Sequence, residues 1–134
     1  MPPFYRQVSF LQSAVLEPNW IGLERWRVHH APSHIEAWLR DPGSLTRAIT
    51  QACDDGFQVQ VQQQGWHSVL NSERRLLGMK HGLTALLREV KLFCGEDPWV
   101  FARTVIPAGN LRGRARRLAY LRNKPLGAVL FADA

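Results

Sequence analysis

Cysteine is scarce in this sequence: Cys53 and Cys94 are the two in a chain of 134 residues. Two thiols with no recognisable spacing make neither a disulfide framework nor a metal site. Both are expected as reduced thiols, packed as small apolar groups. Long apolar runs are missing as well, and none approaches the roughly 20 residues that span a bilayer. The opening "MPPFYRQVSFLQSAV" holds one arginine but no sustained apolar stretch and no cleavage site. No signal peptide is therefore read, and a cytoplasmic protein without a membrane partner is expected. Acidic residues are outnumbered, 11 against 17 Lys and Arg, for a net charge of +6. That balance admits an anionic substrate, an acidic partner or nucleic acid. Repeats and low-complexity blocks are absent.

What is present suits one domain over 1–134 with an ordinary apolar core, since 46% of residues are hydrophobic. Residues 1–31 carry scattered Pro, Trp and His and read as irregular. In "SHIEAWLR" (33–40) Ser33 and Glu36 have the spacing of a capping box, and Ile35, Trp38 and Leu39 form the apolar stripe of a short helix. "DPGS" stops that helix, and Ser44 caps a second one, about 45–53, with Leu45 and Ile49 on one side. "FQVQVQQQGWHSVL" (57–70) alternates at its start, the signature of a half-exposed antiparallel strand. "NSERRLLGMKHG" reads as a polar loop with a helical turn. Residues 84–94 and 98–107 form a hairpin around Gly95, Glu96 and Asp97, with Pro98 tolerated at a strand start. A helix over 111–122 would bury Leu111, Leu118 and Leu121. "NKPLG" is a turn, and "AVLFADA" begins another strand or helix.

The hairpin "LLREVKLFCGEDPWVFARTVIP" contains an arginine in each apolar arm. Alternation places Arg88 with Leu86, Val90 and Leu92, and places Glu89 and Lys91 on the other face. On the second arm Trp99, Phe101, Arg103 and Val105 share a face. A two-residue turn at Gly95–Glu96 would set Arg88 opposite Arg103. A turn one residue longer would break that pairing, and the register stays open. Opposed like charges destabilise a sheet, and a guanidinium stays charged, so burying it unpaired is costly. A carboxylate bound between the two arginines would offset both costs. The alternative is that each pairs with a protein carboxylate or reaches solvent at the sheet edge.

At this point the residues carry a likeness. "LREVKLFCGEDPWVFARTVIP", followed by "KPLGAVLF" and preceded by "HIEAWLRDPGSLTRAI", resembles the chorismate pyruvate-lyase family over roughly residues 33–131. The resemblance implies an α+β fold, an antiparallel sheet with helices packed on one side, enclosing an internal site shielded by flaps. It implies conversion of chorismate to 4-hydroxybenzoate and pyruvate, the first step of ubiquinone biosynthesis, by a monomer without metal or cofactor. By matching position, Arg88 would be the catalytic residue that binds the ring carboxylate, and Arg103 would attract the second carboxylate of the dianion. Leu126 would contact the ligand through its backbone, helped by the flexibility of Gly127, and Leu45 would cover it from the first flap. One departure stands out. The family's glutamate, in a Glu-hydrophobic-Leu-Pro strand near its C-terminus, has no match here, where "ADA" alone follows Phe131. The sheet is therefore expected to be incomplete at the C-terminal side, with an open pocket wall. Turnover by these 134 residues is expected to be weak or absent.

A non-catalytic domain of the same fold that binds a small aromatic carboxylate is the second reading. A nucleic-acid module is the third. It would rest on "LRGRARRLAYLRNK" (111–124), with six basic residues and no acid, but Tyr120 is the sole aromatic there. A solvated helix face is the plainer account, and no nucleic-acid partner is expected. His29, His30 and His34 lack the accompanying ligand spacing of a metal site.

Overall fold

The computed structural model describes residues 16–22, 25 and 32–132. The irregular N-terminal reading for 1–15, and Trp26, His29 and His30, fall outside the described residues. The element order is α1 (Ser33–Arg40), α2 (Leu45–Ala52), β1 (Phe57–Ser68), α3 (Asn71–Leu76), β2 (Thr84–Cys94), β3 (Asp97–Pro107), a 3-10 turn (Ala108–Asn110), a 3-10 segment (Gly113–Tyr120) and α4 (Leu126–Leu130). Among the described residues the strands make one antiparallel sheet in the order β1-β2-β3.

The helix ends follow local chemistry, with one exchange of roles. Ser44 caps α2 as expected, its hydroxyl accepting from the Arg47 N–H. The anticipated capping box on α1 does not form. Pro32 takes the N-cap position without a side-chain bond, and Glu36 instead accepts from Arg40 one turn on. A glutamate that does reach back is Glu73 of α3, whose carboxylate accepts from the Leu70 N–H. Glu17 closes the same helix end, accepting from the Asn71 and Ser72 N–H groups. Residues 113–120 wind as a 3-10 segment rather than an α-helix, and Leu121 just after it is buried, with Leu111 and Leu118 half-buried.

The core lies on one face of the sheet. Ile49 of α2 is 1% exposed and packs with Val90 and Leu92, and Phe57, Val59, Val61, Trp99, Val100 and Ala102 surround them. Full burial of an Ile side chain is worth roughly 1.5–3 kcal/mol, which holds α2 on the sheet. The apolar stripe of α1 is less committed: Ile35, Trp38 and Leu39 all stay more than a third exposed. The helical elements gather on the core face except α3, which meets the other face through Glu73.

Two bulges set what faces what. In β1 the register slips between Val61 and Gln63, so Gln64 rather than Gln63 lies opposite Arg88. In β3 it slips between Leu92 and Phe93 of the partner strand, where Trp99 is the extra residue. Of the two turns left open, the two-residue one forms, with Cys94 opposite Asp97 and Gly95 at φ +57°. Even so, Arg88 does not come to lie opposite Arg103. The bulge advances β3 by one position, so Arg88 faces Thr104 and Arg103 faces Glu89. Directly opposite residues share a face, so the two arginines project from opposite sides of the sheet. A repulsive pair is thereby replaced by an attractive one.

Arg103 is ion-paired on its side. Its Nε and Nη2 donate to the two carboxylate oxygens of Glu73 at 2.6 and 3.0 Å, and its Nη1 donates to Glu89. Its hydrogen bonds to Glu73, then the one to Glu89, hold the guanidinium more firmly charged than usual despite burial. Burial alone would raise the Glu73 carboxyl, but hydrogen bonds from Arg103 and Leu70, with the Arg103 charge, bring it below its ordinary 4.5.

The cysteines also differ from expectation. Cys53 and Cys94, 41 positions apart in sequence, are joined in a disulfide with Cα atoms 5.6 Å apart. The bridge ties the C-cap of α2 to the last residue of β2. Docking of α2 over the core face brings these two ends together, and nothing in the local spacing signals it.

Two outcomes follow. A carboxyl held below its ordinary value stabilises the fold above about pH 4.5 and loses that contribution as pH falls through its folded-state value. Glu73→Gln should lower stability at pH 7 by about 1–3 kcal/mol and flatten the acid limb of stability against pH. Urea midpoints from pH 7 downward measure this, and parallel limbs for the two proteins would contradict it. Reducing the disulfide should lower the urea midpoint, because a closed loop of this length restrains the unfolded chain by about 4 kcal/mol in the chain-entropy account. An unchanged midpoint under dithiothreitol would refute it.

Candidate functional site

Arg88 is 4% exposed at the middle of the central strand, on the core face. Its guanidinium has two partners, both neutral. Nη1 donates to the Gln64 side-chain oxygen at 2.6 Å, and Nη2 donates to the Lys124 carbonyl at 2.8 Å. Among the described residues no carboxylate lies within ion-pairing distance of Arg88. Burial therefore weakens the charged form with nothing to oppose it, the reverse of the situation at Arg103.

An arginine held this way has a specific capacity. Two of five N–H donors are engaged, and each bond to a charged group recovers roughly 1.5–3 kcal/mol of the desolvation cost. The positive charge remains unneutralised. A ligand carboxylate is the natural complement, because the planar fork accepts two oxygens side by side.

The segments around Arg88 are those expected, with one exception. Its bond to Lys124 fastens the "KPLG" turn, so Leu126 and Gly127 begin α4 just past the guanidinium. Gly127 stands where α4 closely approaches α2. A Cβ at that position would stand 2.9 Å from the Thr46 hydroxyl and 3.0 Å from the Ser44 hydroxyl. The "SLT" segment thus abuts α4, with Leu45 between those hydroxyl residues and 43% exposed. Leu45, Arg88, Leu126 and Gly127 accordingly belong to one side of the sheet. Arg103 does not join them: the bulge turns it to the other face, and both adjacent carboxylates engage it. Glu89 also lies on that far face, as alternation predicts.

Sequence reasoning missed Gln64, whose Nε2 donates to the Ala119 carbonyl at 2.7 Å while its oxygen accepts from Arg88. Gln64 stands in a run of three glutamines, and no pattern says which one faces the arginine until the bulge is known. Among the described residues no three His, Cys, Asp or Glu side chains group to hold a metal ion. No helix there is long and apolar enough to cross a membrane.

The family model described as chorismate lyase matches residues 19–134. A probable chorismate pyruvate-lyase of Methylococcus capsulatus is 46% identical over 99 residues, covering 74% of this chain and 61% of that protein. One from Marinobacter nauticus is 44% identical over 105 residues, 78% of this chain and 54% of that protein. A third, from Nitrosospira multiformis, is 41% identical over 119 residues, 86% of this chain and 65% of that protein. The chain thus spans between about half and two thirds of the length of these relatives. With most of its residues matched by the family model and by relatives at this level of identity, the chain belongs to the chorismate lyase family.

Proposed function

We propose that this chain acts on chorismate as a pyruvate-lyase, releasing 4-hydroxybenzoate and pyruvate in the cytoplasm as the entry to ubiquinone biosynthesis. One observation carries the reading: Arg88 is a buried cation whose partners are all neutral, seated beside the "KPLG" turn that the family resemblance assigns to the ligand. The ring carboxylate takes the open donors of Arg88. Leu126 meets the ligand through its backbone, and Leu45 covers it from the start of α2. The basic run 111–124 adds a field that draws a dianion toward this face.

The chemistry asks little beyond placement and charge. The enolpyruvyl ether C–O bond breaks, the ring loses the hydrogen that stands in the way of aromaticity, and the departing enolpyruvate takes a proton on its way to pyruvate. Aromatisation drives the step. The protein holds the dianion in the reactive geometry and offsets charge as the ether oxygen departs. Arg88 serves the first task directly. Arg103, facing away and neutralised by Glu73 and Glu89, serves by fixing β2 and β3 rather than by binding the second carboxylate.

Among the described residues no carboxylate lies within ion-pairing distance of Arg88. That favours a second reading, in which the site binds a 4-hydroxybenzoate-like acid without turnover. One assay separates them. The protein is mixed with chorismate and the absorbance of 4-hydroxybenzoate is followed, while 4-hydroxybenzoate is titrated in parallel. Turnover selects the lyase, and binding without turnover selects the second reading. Arg88→Ala should weaken 4-hydroxybenzoate binding at least about thirtyfold, from the roughly 2–5 kcal/mol at stake in a buried charge pair. Unchanged affinity would remove Arg88 from the site.

A further inference from the structure

Among the described residues Gln64 is the one side chain seen to join Arg88 to the 3-10 segment, and nothing in the comparisons gives it a role. Its amide is used at both ends: the oxygen accepts from Arg88 Nη1 at 2.6 Å, and the nitrogen donates to the Ala119 carbonyl at 2.7 Å. The second bond settles which end of the amide faces the arginine, since a flipped amide would aim its donors at a cation and its oxygen at a carbonyl. The Lys124 carbonyl holds the guanidinium from another direction. Between them these two acceptors fix the plane of the fork. The β1 bulge makes this geometry by bringing Gln64 opposite Arg88.

Resting on the reading of Arg88 as the carboxylate-binding residue, we infer that Gln64 is a positioning residue for that carboxylate, locking the Arg88 fork against the Ala119 carbonyl while leaving its charge whole. The uncharged amide is central to this role. A carboxylate in its place would make the same bond to Nη1 but would cancel the cation and repel an anionic ligand. The other face of the sheet displays that outcome, where Glu73 and Glu89 engage Arg103 and neutralise its charge. With Gln64 and Lys124 as its partners, Arg88 keeps three of its five N–H donors for a ligand. An orientation fixed beforehand spares the ligand the cost of ordering a long side chain.

Gln64 is exposed, so replacing it leaves the apolar core intact. The test compares 4-hydroxybenzoate with its uncharged amide, 4-hydroxybenzamide, by titration against the full chain. Gln64→Met keeps the length and removes both bonds. It should weaken 4-hydroxybenzoate about tenfold, the scale of one hydrogen bond to a charged group, and leave 4-hydroxybenzamide within about twofold. Gln64→Asn, which keeps the amide but not its reach, should follow Gln64→Met. Wild-type affinity in either variant, or equal loss for both ligands, overturns the proposal, the latter by marking a merely structural role. Arg88→Leu is run beside them. If it binds 4-hydroxybenzoate normally, the Arg88 reading falls and this proposal with it. If it loses the ligand while Gln64→Met does not, the role of Gln64 alone is refuted.

Discussion

A guanidinium in the middle of a sheet, turned toward the core and without a counter-charge, is the constraint around which the described structure is arranged. A cation cannot be left there bare. Gln64 and the Lys124 carbonyl supply the least acceptance that makes burial tolerable while preserving the charge. Meeting that requirement recruits distant parts of the chain. The "KPLG" turn must come down onto the central strand, and α4 then approaches α2 closely enough that a Cβ at 127 would crowd the Ser44 and Thr46 hydroxyls. The 3-10 segment must present the Ala119 carbonyl to the far end of the Gln64 amide. The same charge that is expensive for the fold is what an aromatic acid would seek.

The sheet manages two arginines by treating them oppositely, and single-residue bulges are its means. Without the Trp99 bulge the arginines would confront each other across neighbouring strands. With it, Arg103 passes to the other face and meets Glu89 across the ladder and Glu73 from α3. One face is thus internally neutralised and mechanically firm, while the other keeps an open charge. A difference of one residue in register separates a structural ion cluster from a ligand site.

Much of this was legible in the residues because much of it is local. Period-two alternation puts Arg88 with Val90 and Leu92 and sends Glu89 away, and both hold. The Ser44 cap is short-range chemistry and also holds, whereas the turn length was left open by the residues. The likeness of "LREV", "ARTVIP" and "KPLG" pointed to the family whose model matches residues 19–134. What escaped is set by long-range geometry. A bulge leaves no mark in a strand that still alternates on either side of it, so the partner of Arg103 was unreadable. Gln64 was hidden among identical neighbours for the same reason. Glu36 had the spacing of a cap but found Arg40 a better partner, whereas Glu73 reached back without the Ser or Thr that advertises such a cap. The pairing of Cys53 with Cys94 depends on where α2 docks, and two isolated cysteines carry no pattern to announce it.

The bridge between those cysteines encloses β1, α3 and nearly all of β2 in a covalent ring. Gln64, Glu73 and Arg88 lie inside that ring, while Ala119 and Lys124 lie outside it. Residues 80–84, also within it, are exposed, the kind of stretch a protease enters first. A cut there would divide the backbone without releasing either piece. The fragments would stay linked through sulfur until reduced, and the strands carrying Gln64 and Arg88 would remain tethered side by side in a nicked molecule.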